Sequence, residues 1–266
     1  MPAISNLPTS KAKLIRELLR DRKIRQQERV FVLEGEKPIQ ELLAAHSPAV
    51  LYVVIAESRL RKGVLSTYIQ SEKRSPVFSC KDSIFDKLSD VSSPAGVLAI
   101  VRQPVWNQEA IFKRPRLLGL YGEGLQDPAN VGAIIRTALG FGLDALWLSP
   151  DSADTFNPKV VRATAGSLLT LPVFTVSAPD VFKNHDCVLF AAEPHSRKSQ
   201  AILEIPTVPA RAILAFGNES HGLSEATLQQ AAVRFHIPVT PAIQSLNVAA
   251  SVAVAAFHFS GAWKKD

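Results

Sequence analysis

Six short apolar runs recur between residues 116 and 237, at 116–121, 145–148, 173–176, 187–191, 212–216 and 234–237. A strand with one wet face alternates apolar and polar side chains, whereas one covered on both faces is apolar almost throughout. Several of these runs belong to the second kind. The stretches between them carry helical signals, at 129–139, 159–169, 179–183, 224–231 and 246–259. Strands that alternate with helices in this way predict an α/β fold built on a parallel sheet.

A shorter alternating series precedes it. Strands are predicted at 31–35, 49–56, 76–80 and 96–102, with helices at 37–46, 58–71 and 81–89. Residues 104–115, bounded by Pro104 and Pro115, interrupt the pattern and read as a linker. The expected organisation is a smaller N-terminal α/β domain over 1–103 and a larger α/β domain over 116–266. A chain of 266 residues is long enough for two cores.

Composition excludes several classes. The chain is 47% apolar and 20% charged, as in ordinary globular proteins, and holds no run near the ~18 to 20 apolar residues of a membrane helix. The first residues are basic and lack the apolar core of a signal peptide, so a cytosolic protein with no membrane partner is expected. Cys80 and Cys187 lie too far apart for a disulfide framework or a zinc spacing, and read as buried free thiols. His221 has no companion at metal-ligand spacing, so no metal is expected.

Charge is concentrated at one end. Residues 1–30 hold eight basic and three acidic side chains, a net +5 of the chain's formal +6. Leu14, Ile15, Leu18 and Leu19 form one stripe of a helix that Thr9 or Ser10 could cap. The ordinary reading of the remainder is a solvated charged face. Such a helix can also meet phosphates, which supply affinity without sequence information.

Three polar clusters stand out against this background. Asp127-Pro128 has the form of a helix cap followed by proline at the first helical position. Asn130 in the first turn and Arg136 in an apolar helix both need partners. Gly217-Asn218-Glu219 follows the apolar run 212–216, at the carboxyl end of a strand where open α/β sheets bind ligands. Ile237-Pro238 and Ser245-Leu246-Asn247 precede a terminal segment that is apolar almost all round. Ser245 reads as the cap of that last helix, and the segment 248–257 as a buried or dimer-forming face. No G-x-G-x-x-G turn or phosphate-binding G-x-x-x-x-G-K-[ST] loop occurs, since Gly122-Glu123-Gly124 lacks the third glycine.

Asn130-x-Gly132-x-x-x-Arg136-Thr137-Ala138, Gly217-x-Glu219-x-x-Gly222-Leu223, and Ile237-Pro238 with Ser245-Leu246-Asn247-Val248 resemble the three ordered motifs of the SpoU (TrmH) branch of the SPOUT methyltransferases. The segment 159–166 and the run Phe31-Val32-Leu33-Glu34-Gly35-Glu36-Lys37 are also similar to that family, the latter to its N-terminal RNA substrate-binding domain. The resemblance implies transfer of a methyl group from S-adenosyl-L-methionine to a ribose 2′-hydroxyl of RNA. It further implies a C-terminal deep trefoil knot and a homodimer through the C-terminal domain. By the same likeness Asn130, Arg136, Glu219, Ser245 and Asn247 surround the reacting centre, and the backbone at Gly217, Ile237 and Leu246 cradles the cofactor. Arg136 would lie near the cofactor held mainly by the other subunit. Members with a folded N-terminal domain often modify large-subunit ribosomal RNA, which makes 23S RNA the expected substrate. A transfer RNA methyltransferase and a non-catalytic RNA-binding assembly protein are the alternatives.

Overall fold

The computed structural model of the chain describes residues 4–44, 48–64, 75–206, 208–243 and 245–263. It divides into two compact units, one holding residues up to Pro104 together with Phe156–Gly166, the other Val105–Thr155 and the chain from Ser167 onward.

The first unit contains strands β1 (Ser5–Asn6), β2 (Val30–Glu34), β3 (Val50–Ala56), β4 (Val77–Cys80) and β5 (Val97–Arg102). They form one sheet in the order β1-β4-β3-β5-β2. β4 is parallel to β1 and β3, while β5 is antiparallel to β2 and β3. The Thr9–Arg20 helix lays Ile15 and Leu18, both fully buried, into a core with Val32, Tyr52, Phe85 and Ile100. Its N-cap is Pro8 and no side chain caps it, so Thr9 begins the first turn instead of preceding it.

One of the eight basic residues is structural. Arg25 is buried and donates from Nη1 to the Leu18 carbonyl at 2.5 Å, while Arg16, Arg20 and Arg22 remain exposed. The helix expected over 37–46 is Glu36–Ala44, with residues 45 and 46 outside the described residues. Of the helix expected over 58–71, Glu57–Arg61 is helical and residues 65–71 lie outside the described residues.

The segment 156–166, expected within the larger domain, groups with this first unit. The Phe156 ring sits 5.2 Å from that of Phe31, and Arg162 pairs with Asp90. The helix expected over 159–169 stops at Thr164, because Ala165 (φ 48°) and Gly166 (φ 93°) adopt left-handed backbone that ends the α-helical ladder.

In the second unit, β6 (Leu117–Gly122), β7 (Ala145–Leu148), β8 (Val173–Thr175), β9 (Val188–Ala192), β10 (Gln200–Ala201), β11 (Arg211–Phe216) and β12 (Val233–His236) form one sheet. Its order is β10-β12-β9-β11-β6-β7-β8, and every pairing is parallel. Helices cover the strands, as the unbroken burial of β6, β7 and nearly all of β11 requires. Tyr121, Trp147 and Phe182 pack together in one core cluster. Phe190, Phe235 and Phe259 pack edge to face in another group, which holds the terminal Val248–Trp263 helix against the sheet.

Residues 104–115 are not an open linker. Asn107 Oδ1 accepts from Ala110 N at 3.1 Å and caps a Gln108–Phe112 helix, whose Ile111 and Phe112 enter the core. Phe112 stacks on Trp147 at 5.2 Å, so the two prolines bracket a packed plug. Among the described residues no helix is long and apolar enough to cross a membrane.

Phe259 is fully buried between two aromatic rings. Phe259→Ala should destabilise the second unit by about 3 to 5 kcal/mol, read as a lowered urea midpoint in circular dichroism; an unchanged midpoint would contradict this packing.

Candidate active site

All seven strands of the second unit run the same way, so their following loops emerge at one edge. The Pro128–Gly140 helix starts there. Asp127 caps it by accepting from Ala129 N at 2.9 Å, and Pro128 occupies the first helical position, where no backbone donor is needed. This start places Asn130 in the first turn with 8% of its surface exposed. An amide at that depth must find partners.

It finds two. Asn130 Nδ2 donates to Glu219 Oε1 at 2.6 Å, and Asn130 Oδ1 accepts from Asn247 Nδ2 at 3.0 Å. One hydrogen-bonded chain therefore joins the helix after β6, the loop after β11 and the start of the terminal helix. The three motif segments meet through side chains 89 and 117 positions apart in sequence.

Asn247 has a second task. Its Oδ1 accepts from Ala249 N at 2.9 Å and from Ala250 N at 3.4 Å, so Asn247, and not Ser245, caps the terminal helix. The helix begins at Val248 and not at residue 246. Ser245 is exposed and hydrogen-bonds to no other described residue.

The loop holding Glu219 is rigid for a reason the motif spacing does not reveal. Asn218 and Gly222 exchange backbone hydrogen bonds of 3.1 and 2.9 Å. The Asn218 side chain donates to the Gly124 carbonyl at 2.8 Å and accepts from Ser220 N at 2.8 Å and His221 N at 3.2 Å. Gly217 lies under this hairpin, where an added Cβ would come within 2.0 Å of the Gly222 carbonyl carbon. Glu123 fastens the loop's far side, its carboxylate accepting from Ser224 N, Ser224 Oγ and Thr227 Oγ1 at 2.8 to 2.9 Å. Asn218 and Glu123 were not singled out from sequence. Their signal was their position, each beside a glycine directly after an apolar run.

Arg136 stands apart within one chain. Six residues of helix separate it from Asn130, about 240° of rotation and ~9 Å of rise. It is exposed and pairs with no other described residue. Ile237 follows β12, and Leu246 precedes Asn247; both are half-buried. β12 and β11 flank β9, so the exits at Ile237 and Gly217 lie about 10 Å apart along the sheet edge. The backbone of Ile237 and Leu246 is bonded to no other described residue, leaving donors and acceptors for a ligand. An adenosyl group needs that combination of apolar wall and free peptide groups, and these residues fit it.

Comparison with known proteins gives the family. Residues 118–257 match the SpoU rRNA methylase family, and residues 10–99 match the MRM3-like substrate-binding domain. An uncharacterized tRNA/rRNA methyltransferase of Synechocystis is 30% identical, over 94% of this chain and 92% of its own length. The 23S rRNA (guanosine(2553)-2′-O)-methyltransferase RlmP of Bacillus subtilis is 28% identical, over 91% of this chain and 93% of its own. A solved TrmH-family structure from Porphyromonas gingivalis superposes with a TM-score of 0.79 at 28% identity, covering 96% of this chain and 98% of that one.

The carboxyl edge of a parallel sheet is where open α/β folds hold their ligands, and the match over residues 118–257 makes the chain an RNA methylase of that class. The chain belongs to the SpoU rRNA methylase family, and S-adenosylmethionine is its methyl donor.

Gly217→Ala forces the hairpin off Gly222. It should weaken S-adenosylmethionine binding by at least about tenfold in calorimetry, and wild-type affinity would show that the hairpin does not shape the cofactor site.

Proposed function

We propose that this enzyme methylates a ribose 2′-hydroxyl of large-subunit ribosomal RNA, working as a homodimer in the cytosol. The observation that carries the site assignment is the Glu219–Asn130–Asn247 chain of hydrogen bonds. The ribosomal target is supported by the N-terminal match, 10–99, to a substrate-binding domain and by the 23S substrate in the name of the Bacillus relative. Residues 1–103 would hold RNA, and residues 116–266 would carry the chemistry.

When bound, S-adenosylmethionine would supply a methyl carbon activated by its sulfonium, to be taken by the ribose oxygen with thioether sulfur as the leaving group. The backbone at Gly217, Ile237 and Leu246 holds the adenosyl part. Asn130, Ser245 and Asn247 orient ribose and loop. The ribose proton must leave as the oxygen attacks, and Glu219 is the proposed acceptor: Asn130 occupies its Oε1, while Oε2 is bonded to no other described residue. Arg136 brings a guanidinium cation with a planar fork of donors. Its role is to hold the neighbouring phosphate and stabilise the nascent alkoxide. The C-terminal domain would carry the family's deep trefoil knot.

A dimer resolves the isolation of Arg136. Ala250, Val254, Phe257 and Gly261 form one exposed stripe of the terminal helix, with Phe257 70% exposed and Val254 41%. Phe257 meets Phe141 at 6.1 Å, next to the end of the helix that carries Arg136. A two-fold partner on this face would cover the stripe and bring Arg136 to the other subunit's cofactor.

Arg136→Lys should lose at least about tenfold in methyl transfer while keeping cofactor affinity in calorimetry, because lysine cannot make the two-pronged phosphate contact; full activity would sink the role. Phe257→Asp should give a monomer in analytical ultracentrifugation that binds RNA but does not methylate it. An active monomer would remove the shared site. Cofactor binding by the wild-type chain separates the enzyme from a non-catalytic assembly protein, and methylation of 23S against transfer RNA transcripts separates the two substrates.

A further inference from the structure

The loop after β9, residues 193–199, carries a group of side chains that the methyl-transfer scheme leaves unused. β9 lies between β11 and β12, so this loop leaves the sheet between the exits that hold Gly217 and Ile237. It is tightly built. Ser196 Oγ donates to Glu193 Oε1 at 2.7 Å, Ser196 N donates to Ser199 Oγ at 3.0 Å, and Ser199 N donates to the Ser196 carbonyl at 3.2 Å. The other Glu193 oxygen lies 4.0 Å from Arg234 Nη1, so the loop's carboxylate is occupied at its base.

A second wire holds the loop to β12. Ser199 Oγ lies 3.0 Å from His236 Nδ1, and His236 Nε2 lies 3.2 Å from His195 Nδ1. His236 directly precedes Ile237. With the Ser199 hydroxyl donating to His236 Nδ1, the nearer of its two acceptors, His236 Nε2 donates to His195 Nδ1. His195, exposed, then presents an Nε2–H donor to solvent, as a phosphate oxygen requires. At the tip, Arg197 and Lys198 are exposed and pair with no other described residue. Two cations with no carboxylate partner, on a braced loop beside a cofactor edge, suit a phosphodiester.

We propose that Arg197 and Lys198, with His195 held beside them by His236, form an RNA phosphate clamp adjoining the cofactor site. The inference rests on the RNA methyltransferase reading and deepens it. The clamp grips the backbone flanking the target nucleotide, so it adds affinity and register without reading a base. His236 acts through His195 and is a positioning residue.

The test uses the full chain and an in vitro transcript of 23S ribosomal RNA, with filter binding measured across a range of salt concentrations. The double variant Arg197→Ala/Lys198→Ala should lower RNA affinity by about tenfold or more and reduce the slope of log affinity against log salt by about 1.4 to 1.8, the loss of two phosphate contacts. S-adenosylmethionine affinity in calorimetry should stay within about twofold, because neither side chain is part of the cofactor cradle. His195→Ala should weaken RNA binding, and His236→Gln should weaken it less. An unchanged affinity and salt slope in the double variant overturns the clamp. So does absence of RNA binding by the wild type. Wild-type RNA binding without methyl transfer, joined to a reduced slope in the double variant, would keep the clamp and reject the enzymatic reading.

Discussion

The amide of Asn130 is the constraint on which the site depends. It is buried at the start of a helix, and its two ends bond in opposite senses: the nitrogen gives to a carboxylate, the oxygen takes from another amide. Only a side chain with donor and acceptor at fixed separation can do both. An aspartate here would set two carboxylates together, and a leucine would strand Glu219 and Asn247. A buried polar group left unpaired costs about 1 to 3 kcal/mol, so the residue at 130 decides whether the loop after β11 and the terminal helix settle in register. Asn247 then passes that register on, because the side chain bonded to Asn130 also caps the helix carrying the exposed apolar stripe.

Helix geometry accounts for the division of labour. Asn130 and Arg136 share one helix yet lie about 120° apart around it, so they face different sides of the chain. The proposed two-fold partner is the economical way to reunite them. It also explains why the terminal helix is apolar on the face opposite the sheet, which would otherwise stand as an unpartnered hydrophobic patch.

Much of this was legible in the residues. The apolar runs gave six of the seven strands of the second unit to within a residue, because a strand covered on both faces leaves no room for polar side chains, and missed only the short, partly exposed β10. The motif positions Asn130, Glu219 and Asn247 were readable as a group. What escaped was the use of each side chain. Asn247 caps the last helix although Ser245 seemed the obvious candidate, since capping depends on where the helical backbone begins, and one polar residue near an apolar run looks like another. Residues 104–115 read as a linker because prolines flank them, yet Ile111 and Phe112 belong to the core. The break at Ala165 was hidden because alanine favours helix, yet here it takes positive φ as the cap of the helix. Asn218 and Glu123 organise the loops through contacts 94 and 101 positions distant, which no local pattern records.

β12, β9 and β11 are neighbours in space though they come twelfth, ninth and eleventh among the strands of the chain. Because all three run parallel, whatever follows each of them is delivered to the same edge. The loop after β11 brings Gly217 and Glu219, the loop after β12 brings Ile237, and the loop after β9 comes out between them. A polar, braced and cationic loop at that central exit faces whatever the outer two hold. The simplest reading of its charge is that the molecule presented to the cofactor is itself an anion, and the strand order, set by the packing of apolar runs, is what aims the clamp at it.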